Sequence, residues 1–154
     1  MLRARETAAA RMVTCRSGAA AVEFALIAFP LLMLVLGMLQ FAIYYYLQQS
    51  LSNALYETAS NPEPELLVQD KPGYTAKICA KIALSQSCLN PTTGIKIEAM
   101  KLVNVPTAAL AITGTTFDTG ASQDAILLRA TMTAPRIVPL IPALAAQESV
   151  VFRR

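Results

Sequence analysis

Residues 24–47 read FALIAFPLLMLVLGMLQFAIYYYL, a stretch with no charged side chain and Gln40 as its single strongly polar one. A bilayer's hydrocarbon core takes about 20 apolar helical residues at about 1.5 Å rise each. The stretch is therefore long enough to span, and a soluble core helix is not expected. Flanking charge sets the expected orientation. Arg3, Arg5, Arg11 and Arg16 against Glu6 account for the whole formal charge of +3, and no basic residue follows the stretch until Lys71. The positive-inside rule then leaves the amino terminus in the cytoplasm and the bulk of the chain outside. Tyr44, Tyr45 and Tyr46 near the far end suit an aromatic belt, ring bodies in lipid and hydroxyls toward headgroup water.

A cleavable signal peptide shares the basic leader, but its apolar core runs only about 7 to 15 residues before a small-residue exit. This stretch is longer and has no Ala-x-Ala exit. Cys15 lies in the leader with no apolar core before it, which argues against lipoprotein processing, and no role is assigned to it.

The rest of the composition narrows the chemistry. Histidine is absent, removing the commonest general base near neutral pH and the commonest transition-metal ligand. There is no phosphate-cradling glycine loop, nucleophile elbow or paired Cys-x-x-Cys. Glu57, Glu63, Glu65 and Asp70 gather around a proline-rich break, where solvated loop acids are the expected reading. Lysines are scattered singly, without the basic patch of a nucleic-acid binder. The chain is read as not an enzyme, with no cofactor, metal or nucleic-acid partner.

A simple anchor leaves Glu23 unexplained. It is an ionisable residue at the cytoplasmic end of the apolar stretch, five residues after Gly18. An acid buried at mid-span costs about 2.5 to 3.5 kcal/mol on insertion scales, less near an interface, so it marks either a functional site or a boundary residue snorkelling to the headgroups.

Residues 16–24, Arg-Ser-Gly-Ala-Ala-Ala-Val-Glu-Phe, resemble the processing site of type IV prepilins and pseudopilins, where a short basic leader ends in a small residue and Glu stands fifth in the mature chain. The resemblance implies a cut between Gly18 and Ala19 by a prepilin peptidase. Within that superfamily the segment is most similar to TadE-like proteins of the tight-adherence (Tad) pilus. The residues carrying the likeness are Ala19 to Ala21, Val22-Glu23-Phe24, Pro30, Tyr44 to Tyr46 with Gln48-Gln49, and residues 53–59, Asn-Ala-Leu-Tyr-Glu-Thr-Ala. Ser60-Asn61 stands where the family often has Arg. The resemblance implies a minor pseudopilin of the bacterial inner membrane, its head periplasmic. The implied partners are the peptidase, other Tad pilins and the assembly platform. It also implies that the Ala19 amine freed by cleavage pairs with Glu23 of the same or a neighbouring subunit. Pro30 has no amide to donate and crowds the carbonyl of Leu26, so a loosened or kinked helix is expected there, either useful for withdrawal into a fibre or merely tolerated.

Beyond the span, Leu51, Ala54, Leu55 and Ala59 continue the helical period to about Ser60, and Asn61-Pro62-Glu63-Pro64 ends it. Residues 74–85 read as a short helix with Tyr74, Ile78 and Ile82 on one face. Cys79 and Cys88 are read either as a disulfide, favoured by outward topology, or as two buried thiols. Strands are expected at residues 95–98, 125–133 and 148–153, with a polar loop at 114–123. The expected layout is a cleaved cytoplasmic leader over 1–18, a transmembrane helix over 19–47, its continuation outside over 48–60, and a periplasmic α+β head over 61–154. That head is pilin-like, with one short helix and about three antiparallel strands. An unprocessed single-span anchor with a binding or scaffold head is the alternative.

Overall fold

The computed structural model describes residues 16–82, 85–105 and 111–154; the leader's Arg3, Arg5, Glu6, Arg11 and Cys15 lie outside them. The fold is α+β. A long helix α1 (Arg16–Ser60) is followed by α2 (Pro64–Leu67), α3 (Lys71–Lys81) and α4 (Ser85–Cys88), then by β1 (Lys96–Lys101), a 3-10 turn (Leu102–Asn104), β2 (Ala125–Thr133) and β3 (Ala145–Arg153). The three strands form one antiparallel sheet in the order β1-β2-β3.

The chain divides into two compact units at Leu39/Gln40, with α1 contributing to both. In the first unit, none of the described side chains from Gly18 to Leu39 is buried. Pro30 lies inside the helix, which continues on both sides of it. By length and composition α1 can cross a membrane.

In the second unit the same helix carries a buried stripe: Gln40, Leu47, Leu51, Ala54, Leu55 and Thr58. Their spacing by threes, fours and sevens is that of one face of an α-helix. Composition alone puts the outer end of the span at Leu47, yet Gln40 and Leu47 are already enclosed by this unit. The opposite face stays open at Phe41, Tyr45 and Tyr46.

The sheet covers that stripe with alternate side chains, as a period of two requires. Ile126, Leu128, Ala130 and Met132 from β2 are buried with Ile97 and Ala99 of β1 and Ala146 and Phe152 of β3. Register agrees: Ile97 faces Ala130, Leu128 faces Val150, and Ile126 faces Phe152. β2 has the bounds expected from its alternation, while β1 runs on to Lys101 and β3 starts earlier, at Ala145.

Asn61 closes α1 with a bond to Glu57 before Pro62 and Pro64. Helix α3 begins earlier than its apolar period suggests, because Asp70 caps it by accepting from Gly73 N–H and Pro72 stands in the first turn. It ends at Lys81, where Ile82 turns extended. Tyr74, Ile78 and Ile82 are all buried, the face the sequence indicated. Tyr74 donates to Thr58 Oγ1 of α1 (3.1 Å), and its ring stands 6.2 Å from that of Phe117. Burial pushes its phenol up to about 12. Cys79 and Cys88 are joined in a disulfide with Cα atoms 5.6 Å apart, tying α3 to α4.

Candidate assembly and processing site

The residues of the prepilin-like motif lie in the first turns of α1. Gly18 has nothing within 4 Å of where a side chain would be, and Val22, Glu23 and Phe24 are exposed. In the uncut helix Glu23 is two turns from the start at Arg16. A cut after Gly18 would change that position without moving an atom. Ala19 would become the terminal residue and Glu23, four residues on, would lie about one helical turn away. The new ammonium would also meet the positive end of the helix dipole, which an acid in the first turn offsets. The motif thus places an open glycine and an exposed carboxylate five residues apart in the first turns of α1. The same carboxylate is equally open to the amine of another subunit.

Where α1 enters the second unit, two glutamines two turns apart hold the chain that flanks and forms β3. Gln40 Oε1 accepts from Val138 N–H (2.8 Å) and Ile137 N–H (3.3 Å). Gln48 acts as a substitute peptide: its Nε2 donates to Gln147 C=O (2.8 Å) and its Oε1 accepts from Gln147 N–H (3.0 Å). Gln147 points both groups away from β2, so Gln48 occupies an edge that another strand would otherwise fill. Gln48 Nε2 also reaches Glu148 (3.2 Å).

A second polar centre, Glu98 opposite Arg129, is on the outer face of the sheet. Strict alternation reads Glu98 as a solvent-facing residue, but it is buried. The segment 113–118 folds over it. Glu98 Oε1 accepts from Thr113 N–H (2.7 Å), Thr113 Oγ1 (2.8 Å) and Gly114 N–H (2.9 Å), while Oε2 pairs with Arg129 (2.6 Å). Burial alone would raise this carboxyl; the bonds from Gly114, Thr113 and Arg129 outweigh it and hold the group below its ordinary value of 4.5. The same segment pairs with β1, Ala99 N–H donating to Thr116 and Asp118 N–H to Ala99, which covers the sheet's other edge. Nothing local in the sequence signals this; it needs the contact between residue 98 and residues sixteen further on.

The acids around the proline-rich break form an ion-pair network. Lys77 bridges Glu63 (3.2 Å) and Glu65 (2.7 Å), and Lys81 bridges Glu63 (2.9 Å) and Glu57 (3.0 Å). Hydrogen bonds from Lys81 and then Lys77 lower the Glu63 carboxyl, and Lys77 lowers that of Glu65. Asp70 serves as the α3 cap. These groups fasten α2 and α3 to the end of α1.

Fold and motif together define a class: an α+β protein carried on one long amino-terminal helix whose first half is apolar and exposed and bears one acid in its opening turns. The family model for TadE-like protein matches residues 18–60, from the motif glycine to the last residue of α1. Over its long helix the chain is thus similar to TadE-like proteins; residues 61–154 lie outside the match. No curated protein and no solved structure matches the chain.

Proposed function

We propose that the protein is a minor pseudopilin of Tad-type pilus assembly, a structural subunit and not an enzyme. It inserts with its leader in the cytoplasm and its α+β unit in the periplasm, a prepilin peptidase cuts between Gly18 and Ala19, and the freed helix packs among other pilins and the assembly platform. One observation carries the reading. The TadE-like match begins at Gly18 and takes in Glu23, an acid exposed in the opening turns of an otherwise apolar helix. An acid in such a segment is tolerated when a cation neutralises it, and cleavage supplies one at Ala19. The Cys79–Cys88 disulfide supports an oxidising compartment for the second unit.

Charge removal at Glu23 tests the role. Glu23→Gln is expected to leave the chain membrane-inserted and cut, while the amount of protein recovered with Tad pilins falls several-fold. An unchanged yield with Glu23→Gln would remove Glu23 from assembly.

A further inference from the structure

The turn joining β2 to β3, residues 134–144, is apolar, and its exposed side chains include Ile137, Pro139, Leu140 and Pro142, with Arg136 the only charged residue. Leu140 is 80% exposed. An apolar, open turn is unusual beside water, and its backbone is unusual as well. Pro135, Pro139 and Pro142 carry no N–H. The amides of Ile137 and Val138 are taken by Gln40, that of Ala134 by Leu144 C=O, and that of Ile141 by Val138 C=O. Arg136 in turn donates to Pro139 C=O. Most of the turn's N–H donors are thus either absent or satisfied within the protein, which lowers the cost of seating the turn at the lipid interface, where water still reaches its carbonyls. The loop of residues 113–120 differs, being rich in Thr, Gly and Asp.

Position along the chain says what covers the turn. It is fastened to Gln40, the residue that follows the exposed apolar segment ending at Leu39. On the same stretch of helix Phe41, Tyr45 and Tyr46 are exposed, side chains that favour the membrane–water interface. The other end of the sheet, where β1 meets the Leu102–Asn104 turn, is about 25 Å away along the strands.

We propose that residues 135–142 form a second membrane contact, a monotopic turn that seats its prolines, Ile137 and Leu140 in the lipid interface with Arg136 toward anionic headgroups. The contact lies in the α+β unit itself, at the turn that Gln40 holds. It rests on the reading of α1 as a membrane span. Gln40 then acts as the joint between the span and the turn: it satisfies the two amides that insertion would otherwise strip of water.

The chain has no tryptophan, so a single introduced one reports without background. Leu140→Trp, Val103→Trp and Leu34→Trp are made separately in the full chain, each at an open position, Val103 being 91% exposed at the far end of the sheet. Each variant is placed in phosphatidylethanolamine–phosphatidylglycerol nanodiscs bounded by a tryptophan-free belt, their acyl chains brominated near the glycerol end or near the methyl end. The expected result is deep quenching at Leu34→Trp, blue-shifted emission with loss of about half its intensity to shallow bromines at Leu140→Trp, and none at Val103→Trp. Quenching at Leu34→Trp with equal, negligible quenching at Leu140→Trp and Val103→Trp would overturn the proposal and leave the span intact. Absence of quenching at Leu34→Trp would overturn both. A blue shift at Leu140→Trp without quenching, lost when each disc holds a single chain, would assign the turn to a second copy and overturn the lipid contact.

Discussion

The two halves of α1 differ in pattern and in what surrounds them: residues 18–39 are apolar almost throughout, whereas residues 40–60 set an apolar stripe among Gln, Ser, Asn, Glu and Thr. Residues 18–39 have no buried side chain among those described, whereas residues 40–60 carry a stripe closed by the protein's own sheet, disulfide-linked helices and Tyr74. The apolar run to Leu47 therefore overlaps the stripe that the fold buries from Gln40 onward. The halves differ as well in how Gln40 and Glu23, the polar residues of the long apolar run and its edge, are partnered. Gln40 meets two backbone donors inside the fold; Glu23 is exposed and makes no ion pair among the described residues.

The largest effect expected from breaking this contrast is at Leu51. Leu51→Ala leaves a cavity in the second unit and should cost about 2–5 kcal/mol, read as a lower thermal or denaturant midpoint in detergent. Leu34→Ala, the same deletion in the exposed half, should leave that midpoint in place. An equal loss from both would mean that the first half is also buried in the folded chain.

Reducing the Cys79–Cys88 bridge closes a smaller gap. Cys79→Ser with Cys88→Ser should lower stability by about 2–3 kcal/mol by the chain-entropy argument, and reductant should lower the wild type to the same level. No difference between reduced and oxidised wild type would remove the bridge from the account.

Glu98 and Gln40 sharpen the comparison from the polar side. Glu98→Ala removes the acceptor of the Thr113 and Gly114 donors and one partner of Arg129, a cost of about 1–3 kcal/mol. Because this carboxyl titrates lower in the fold than in the unfolded chain, its contribution is present above its unfolded value of 4.5 and is lost as pH falls through the lower folded value. Wild-type stability should therefore fall more steeply in acid than that of Glu98→Ala; parallel curves would contradict the clamp. Gln40→Leu keeps the bulk and removes the acceptor for Ile137 and Val138, with an expected cost of about 1 kcal/mol and faster amide exchange confined to residues 135–142.

Much of this was legible in sequence because it depends on local period. The helix to Ser60, the Tyr74, Ile78 and Ile82 face, and β2 follow from spacing and from proline positions. Glu98 and Gln40 were not legible, for a shared reason. Each reads by its neighbours as something else, an outward strand residue and a lone polar residue in lipid, and each is redefined by a segment distant in sequence: residues 113–114 for Glu98, 137–138 for Gln40. The longer β3 likewise starts at Ala145 by pairing with Thr133, not by any propensity of Ala-Ala-Gln.

The central claim is processing at the start of α1, and it is tested most directly by the amino-terminal mass of the membrane-extracted protein with and without the cognate prepilin peptidase. The account predicts a chain beginning at Ala19 only when the peptidase is present. An intact leader in both samples would contradict it and leave a single-span anchor whose partner must be sought through the α+β unit.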